Sequence, residues 1–129
     1  MNILDYLGKP WESGGNGPDA YDCWGLVRAV YRDHGIILPV VDVDAHKSLE
    51  VRHAFNAGDF TQWEKLNHAQ HLAAVLMSKG KQPDHVGVWL HTEGGGVIHS
   101  IQGAGVVYNG IRSLSMMGYN VLGFYAWKG

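Results

Sequence analysis

Apolar residues change their period partway along the chain. In "DCWGLVRAVYRDHG" (22–35), Leu26, Val27, Val30 and Tyr31 recur at i, i+1, i+4 and i+5, one stripe of an amphipathic helix. Asp22 is a good N-cap, because its carboxylate can accept orphan N–H groups of the first turn. Gly35 suits the position just past the helix end. Gly25 inside the first turn costs up to about 1 kcal/mol against alanine, which predicts close approach of another backbone.

Further on the period becomes two. In "HVGVWLH" (85–91), Val86, Val88 and Leu90 take one face, and His85, Gly87, Trp89 and His91 the other. "LAAVLMS", "VIHSI", "GVVYN" and "YNVLGFYAW" read as further strands, with a helical turn over 110–117 and a short one over 2–7. "GKPWESGGNGPDAY" is a loop dense in Gly, Pro, Asn and Asp. Within 40–71, "AHKSLEVRHAFNAG" is weakly helical and "DFTQWEKLN" ambiguous. A helix-rich half followed by adjacent strands predicts an α+β fold with an antiparallel sheet.

The chain has 129 residues, the size of one domain. Hydrophobic residues make up 46%, enough for a core, and charged residues only 17% against about 25% on average. A net charge of −2 carries no nucleic-acid footprint and no basic membrane patch. No apolar run approaches the roughly 18 residues of a membrane span, and the start lacks the basic and apolar regions of a signal peptide. The sequence therefore predicts cytoplasmic synthesis.

Candidate chemistry centres on Cys23, the only cysteine, which excludes an internal disulfide. At a helix start its sulfur meets unpaired N–H groups and the positive end of the macrodipole. Such sites lower a thiol pKa from about 8.5 to about 3.5–7.5. The Cys23 backbone N–H is a ready oxyanion donor. The competing reading is an inert, buried cysteine. Among eight histidines, His85 and His99 flank "HVGVWLHTEGGGVIH". A turn centred on Thr92 sets them opposite each other on one face, Cβ atoms about 5 Å apart; a turn on the three glycines slips the register. His99 can then orient His85 as the base of a Cys-His site, and Gly87 leaves room for a helix end. His68 and His71, three apart, are the alternative as a metal-binding pair, without a carboxylate or cysteine cluster to complete a site.

"DCWGLV", "DHVGVWL" and "VIHS" together resemble the NlpC-type cell-wall peptidases, which are papain-like cysteine peptidases. The resemblance covers roughly residues 8–39 and 73–109. It implies a single domain over 1–129, with the Cys23 helix packed on an antiparallel sheet and 40–71 an insertion foreign to the family. It also implies Cys23 as nucleophile, His85 as base and His99 as orienting residue. Trp11, Asp22 and Trp24 are the expected substrate-lining residues, Trp11 standing where the family has an aromatic residue, and Trp89 is a further groove candidate. The implied substrate is a peptidoglycan stem peptide, with no metal or organic cofactor. The string over 8–39 resembles the phage-tail and prophage branch, with Trp24 where secreted members often carry Ser, and implies other tail proteins as partners. Two readings compete: a structural tail-assembly protein whose site is weak or unused, and an amidase or acyltransferase acting on other acyl groups.

Overall fold

The computed structural model describes residues 1–38, 63–79 and 83–129. One 11-residue helix, α1 (Cys23–Asp33), packs on a six-stranded sheet. The strands are β1 (Trp63–Leu66), β2 (Ala74–Ser78), β3 (Pro83–Leu90), β4 (Gly96–Ile101), β5 (Gly105–Asn109) and β6 (Asn120–Trp127). A short helix, α2 (Ile111–Met116), joins β5 to β6, and a 3₁₀ turn spans Ile3–Asp5. Sheet order is β1-β6-β2-β3-β4-β5, and every neighbouring pair is antiparallel. The expected α+β architecture and all five readable strands are present. The ambiguous "DFTQWEKLN" contributes edge strand β1, with Trp63 buried opposite Trp127. The weak helix expected over "AHKSLEVRHAFNAG" lies outside the described residues, as does most of segment 40–71.

The sheet is covered on both faces. On one, α1 buries Leu26, Val27, Val30 and Tyr31 against Ala74, Leu76, Val86, Val88 and Ile98. Each large apolar side chain buried this way contributes about 1.5–3 kcal/mol. On the other, Val75, Met77 and Val97 pack with Leu114 of α2 and with Tyr119. Period-two alternation in β3 therefore has a core on each side.

Hydrogen bonds fix the start of α1. Asp22 caps it, Oδ1 accepting from the Gly25 amide at 2.6 Å, while Oδ2 accepts from Gly14 at 3.0 Å. The Asp22 amide donates to Gly15 O at 2.9 Å. Ser100 Oγ on β4 donates to Tyr21 O at 2.8 Å, tying the loop to the sheet. Gly25 faces this loop: a Cβ there would drive into Gly15 O and its carbonyl carbon. The close backbone approach expected from the glycine is thus the loop folding over the first helical turn.

Gly25→Ala is expected to destabilise the fold by about 3 kcal/mol or more, the top of the overpacking range. Intrinsic helix propensity alone would stabilise it by up to about 1 kcal/mol. The sign of the change in chemical denaturation separates the two.

Candidate active site

Cys23 is the first residue of α1 and is 2% exposed. Its sulfur lies within reach of the backbone N–H groups of Cys23, Trp24 and Val86. The first two are orphan donors of the helix N-terminus. The third is on β3, next in sequence to His85. These contacts bring the thiol to the end of β3 where the β3–β4 ladder stops, its pairs being Val88↔Ile98, Trp89↔Val97 and Leu90↔Gly96.

That register differs from the expected one. The hairpin turns about Glu93, not Thr92, so Gly87 rather than His85 stands opposite His99. His99 reaches His85 diagonally: His85 Nε2 and His99 Nδ1 are 2.8 Å apart, ring centroids 5.0 Å, planes at 69°. Gly87 makes this possible. A Cβ there would lie 2.7 Å from Ile98 O and 3.0 Å from the His99 Cβ. The space at Gly87 serves β4 and the His99 side chain, not a helix end.

The pair continues into groups that the sequence reading missed. His99 Nε2 is 2.8 Å from Asn109 Oδ1, and Asn109 Nδ2 donates to Ser113 Oγ at 3.2 Å. Tyr119 stacks on the His85 ring at 5.0 Å and 30°, and meets His99 edge-on at 5.6 Å and 89°. Lys79 Nζ sits 5.2 Å above the Tyr119 ring. Asn109 had a signal: His99 pairs with Val107, and two residues along β5 falls on the same face. Tyr119 arrives from the far side of α2, and no local pattern announces it.

Burial sets the charge state. It pushes the Cys23 thiol up to about 12, helped by the Asp22 carboxylate, against the three backbone N–H groups. The thiolate expected from a helix start is therefore not favoured in the closed site, because desolvation outweighs the helix end. Burial likewise drives His85 down to about 3, with His99 and Lys79 adding to the effect. His99, fully buried, is lowered by desolvation and partly restored by its bond to Asn109. Thiol and imidazoles rest neutral.

The expected substrate-lining residues are placed differently from one another. Trp11 is half-buried in the loop, its backbone bridged to Tyr21, two residues before Cys23. Asp22 is buried, and its two oxygens serve the loop and the helix cap, so capping is the role its contacts support. Trp24 is 6% exposed and belongs to the core cluster beneath α1. Trp89 packs on the far face against Phe124, ring centroids 5.8 Å apart. His71 lies near His34 and His91, ring centroids 6.0 and 5.5 Å away, but among the described residues no three His, Cys, Asp or Glu are set to hold a metal.

A thiol on a helix start beside an imidazole pair on an antiparallel sheet defines the site. A family model described as the NlpC/P60 family matches residues 8–123. The chain belongs to the NlpC/P60 family. Among curated proteins it is 30% identical over 119 residues to a "Probable endopeptidase p60" of Listeria seeligeri. The match takes in 92% of this chain and 20% of that protein, so the chain spans about a fifth of its relative's length. Two solved structures share the fold at 22% identity. One is described as similar to a lipoprotein of the NLP/P60 family, from Staphylococcus aureus subsp. aureus Mu50; its TM-score is 0.62, over 96% of this chain and 38% of that one. The other is the NlpC/p60 domain of peptidoglycan hydrolase SagA, with a TM-score of 0.58 over 92% of this chain and 88% of that one.

The buried neutral histidines make acid destabilising. Their folded pKa lies below the unfolded value near 6.5, so the unfolded chain binds more protons and stability falls as pH drops from about 6.5 toward 3. Each proton taken up only on unfolding gives a slope of about 1.4 kcal/mol per pH unit. Urea denaturation across that window should show the slope, and His85→Gln should reduce it.

Proposed function

We propose that this chain is a cysteine peptidase that hydrolyses peptide bonds in peptidoglycan stem peptides. The observation that carries the reading is the Cys23 sulfur held at the Val86 amide, with His85 next along β3 and bonded through Nε2 to His99. Membership of the NlpC/P60 family supports it, as do the names of relatives, an endopeptidase and a peptidoglycan hydrolase.

In this reading His85 takes the Cys23 proton as sulfur attacks the scissile carbonyl. The Cys23 N–H donates to the developing oxyanion. His85 then protonates the leaving amine and activates water to release the acyl-enzyme. His99 holds the His85 ring. The neutral resting pair gives the proton transfer a direction: thiol to imidazole, concerted with attack. Trp11, in the loop that precedes Cys23, is the residue we assign to the substrate groove. No step calls for a metal or organic cofactor.

We further propose that the protein acts as a phage tail-associated or prophage cell-wall hydrolase. The sequence over 8–39, with Trp24 after the cysteine, supports this placement. It implies synthesis in the cytoplasm, action at the cell wall, and other tail proteins as partners.

Purified stem peptides incubated with the full chain should yield new amino and carboxyl termini by mass spectrometry. Cys23→Ala and His85→Ala should each lower the rate by at least about 10³-fold. No cleavage by the wild type, or cleavage surviving in Cys23→Ala, would contradict the peptidase reading and leave a structural tail component as its replacement.

A further inference from the structure

His85 can serve as base toward Cys23 only if one ring nitrogen is bare and faces away from His99. Its Nε2 is engaged by His99 Nδ1, so Nδ1 is the nitrogen outside that contact. Neutral imidazole carries one proton, on either nitrogen. If His85 is protonated on Nε2, that nitrogen donates to His99 and Nδ1 is the base. If it is protonated on Nδ1, the base is lost. The choice is made by His99, whose Nδ1 must accept, and so whose Nε2 must carry the proton.

The partner of His99 Nε2 is Asn109 Oδ1 at 2.8 Å. An amide oxygen only accepts. The amide is held in this orientation by Asn109 Nδ2, which donates to Ser113 Oγ at 3.2 Å. Asn109 closes β5, Ser113 lies in α2, and only three residues separate them. The bonds thus run in one sense: Asn109 Nδ2 to Ser113, His99 Nε2 to Asn109, His85 Nε2 to His99.

We propose that Asn109, fixed by Ser113, is a positioning residue that selects the His85 tautomer with Nδ1 bare. The inference rests on the cysteine-peptidase reading for its purpose, but not for its measurement. It also explains why an amide suits this position better than a carboxylate. Aspartate would favour a doubly protonated His99, which donates from Nδ1 and forces His85 Nε2 to accept. His85 would then carry its proton on Nδ1. The other titratable groups around His99 are His85 on β3 and Tyr119 before β6, with Lys79 beyond the Tyr119 ring. The acceptor within hydrogen-bond distance of His99 Nε2 is Asn109 Oδ1, which makes Asn109 the selector.

Long-range proton–nitrogen correlation NMR of the full chain, labelled with ¹⁵N-histidine, reads both tautomers without any turnover. In the wild type, His85 and His99 should each be protonated on Nε2 alone. In Asn109→Leu both should become tautomer mixtures, and peptide cleavage should fall by up to about 10²-fold, the lower end of a general base's contribution. Asn109→Asp, which is isosteric, should show an imidazolium at His99 and move the acid limb of the activity profile to higher pH, with activity recovering above it. A purely structural Asn109 would move neither tautomer nor pH profile. His85 protonated on Nδ1 in the wild type, or unchanged tautomers in both variants, would overturn the proposal. Tautomers as stated in a protein that cleaves no stem peptide would uphold it and remove only the peptidase reading.

Discussion

The structure depends on how tightly one loop closes over the first turn of α1. The Asp22 carboxylate bridges Gly14 and Gly25, and the Gly15 carbonyl occupies the space a side chain at position 25 would need. Ser100 anchors the same loop to β4 through the Tyr21 carbonyl. These contacts set the height and rotation of the helix start. The sulfur of Cys23 reaches the Val86 amide because of them. A loop free to lift would leave the thiol over open solvent, with no fixed relation to His85.

The cost of this closeness is desolvation. A helix N-terminus contributes a modest favourable field, typically 0.3–1 kcal/mol at an exposed site and up to ~2 kcal/mol when partly buried. Removing a thiolate from water costs more unless a counter-charge lies beside it. Here the charge that acts on the thiol is the Asp22 carboxylate, which has the wrong sign. The imidazole meets the same barrier, and a neighbouring imidazole and Lys79 add to it. Burial therefore holds both the Cys23 thiol and the His85 imidazole in their neutral forms. The bonds from His85 to His99 and from His99 to Asn109 fix the orientation of the His85 ring. Tyr119 and Gly87 complete the enclosure, one by stacking on the ring, the other by giving His99 room to lean across.

Most elements were legible because their residues obey one period each. The Leu26–Tyr31 stripe and the Asp22 cap define α1, and "GVVYN" marks β5 to the residue. Cys23, His85 and His99 stood out as candidates by residue type and spacing, and the structure places all three around the α1–β3–β4 junction. What the sequence hid depends on distant chain segments. The hairpin register hinged on which residue of "HTEGGG" turns, and Glu93 adopts a positive φ of 55° that no pattern signals. Trp24 and Trp89 look alike as aromatic groove candidates, and only the packing shows that Trp24 is buried under α1 while Trp89 packs, partly buried, on the opposite face. The thiol pKa was misjudged for the same reason: a helix end is local and readable, whereas burial is global.

The central claim is that burial keeps Cys23 and His85 neutral inside a closed site. The most direct measurement is the ultraviolet absorbance of thiolate as a function of pH, taken as the difference between wild type and Cys23→Ser. The account predicts no thiolate signal below about pH 9, that is, an onset above that of a free cysteine. A thiolate step in the acid or neutral range, moving upward in His85→Ala, would contradict it and establish a preformed ion pair.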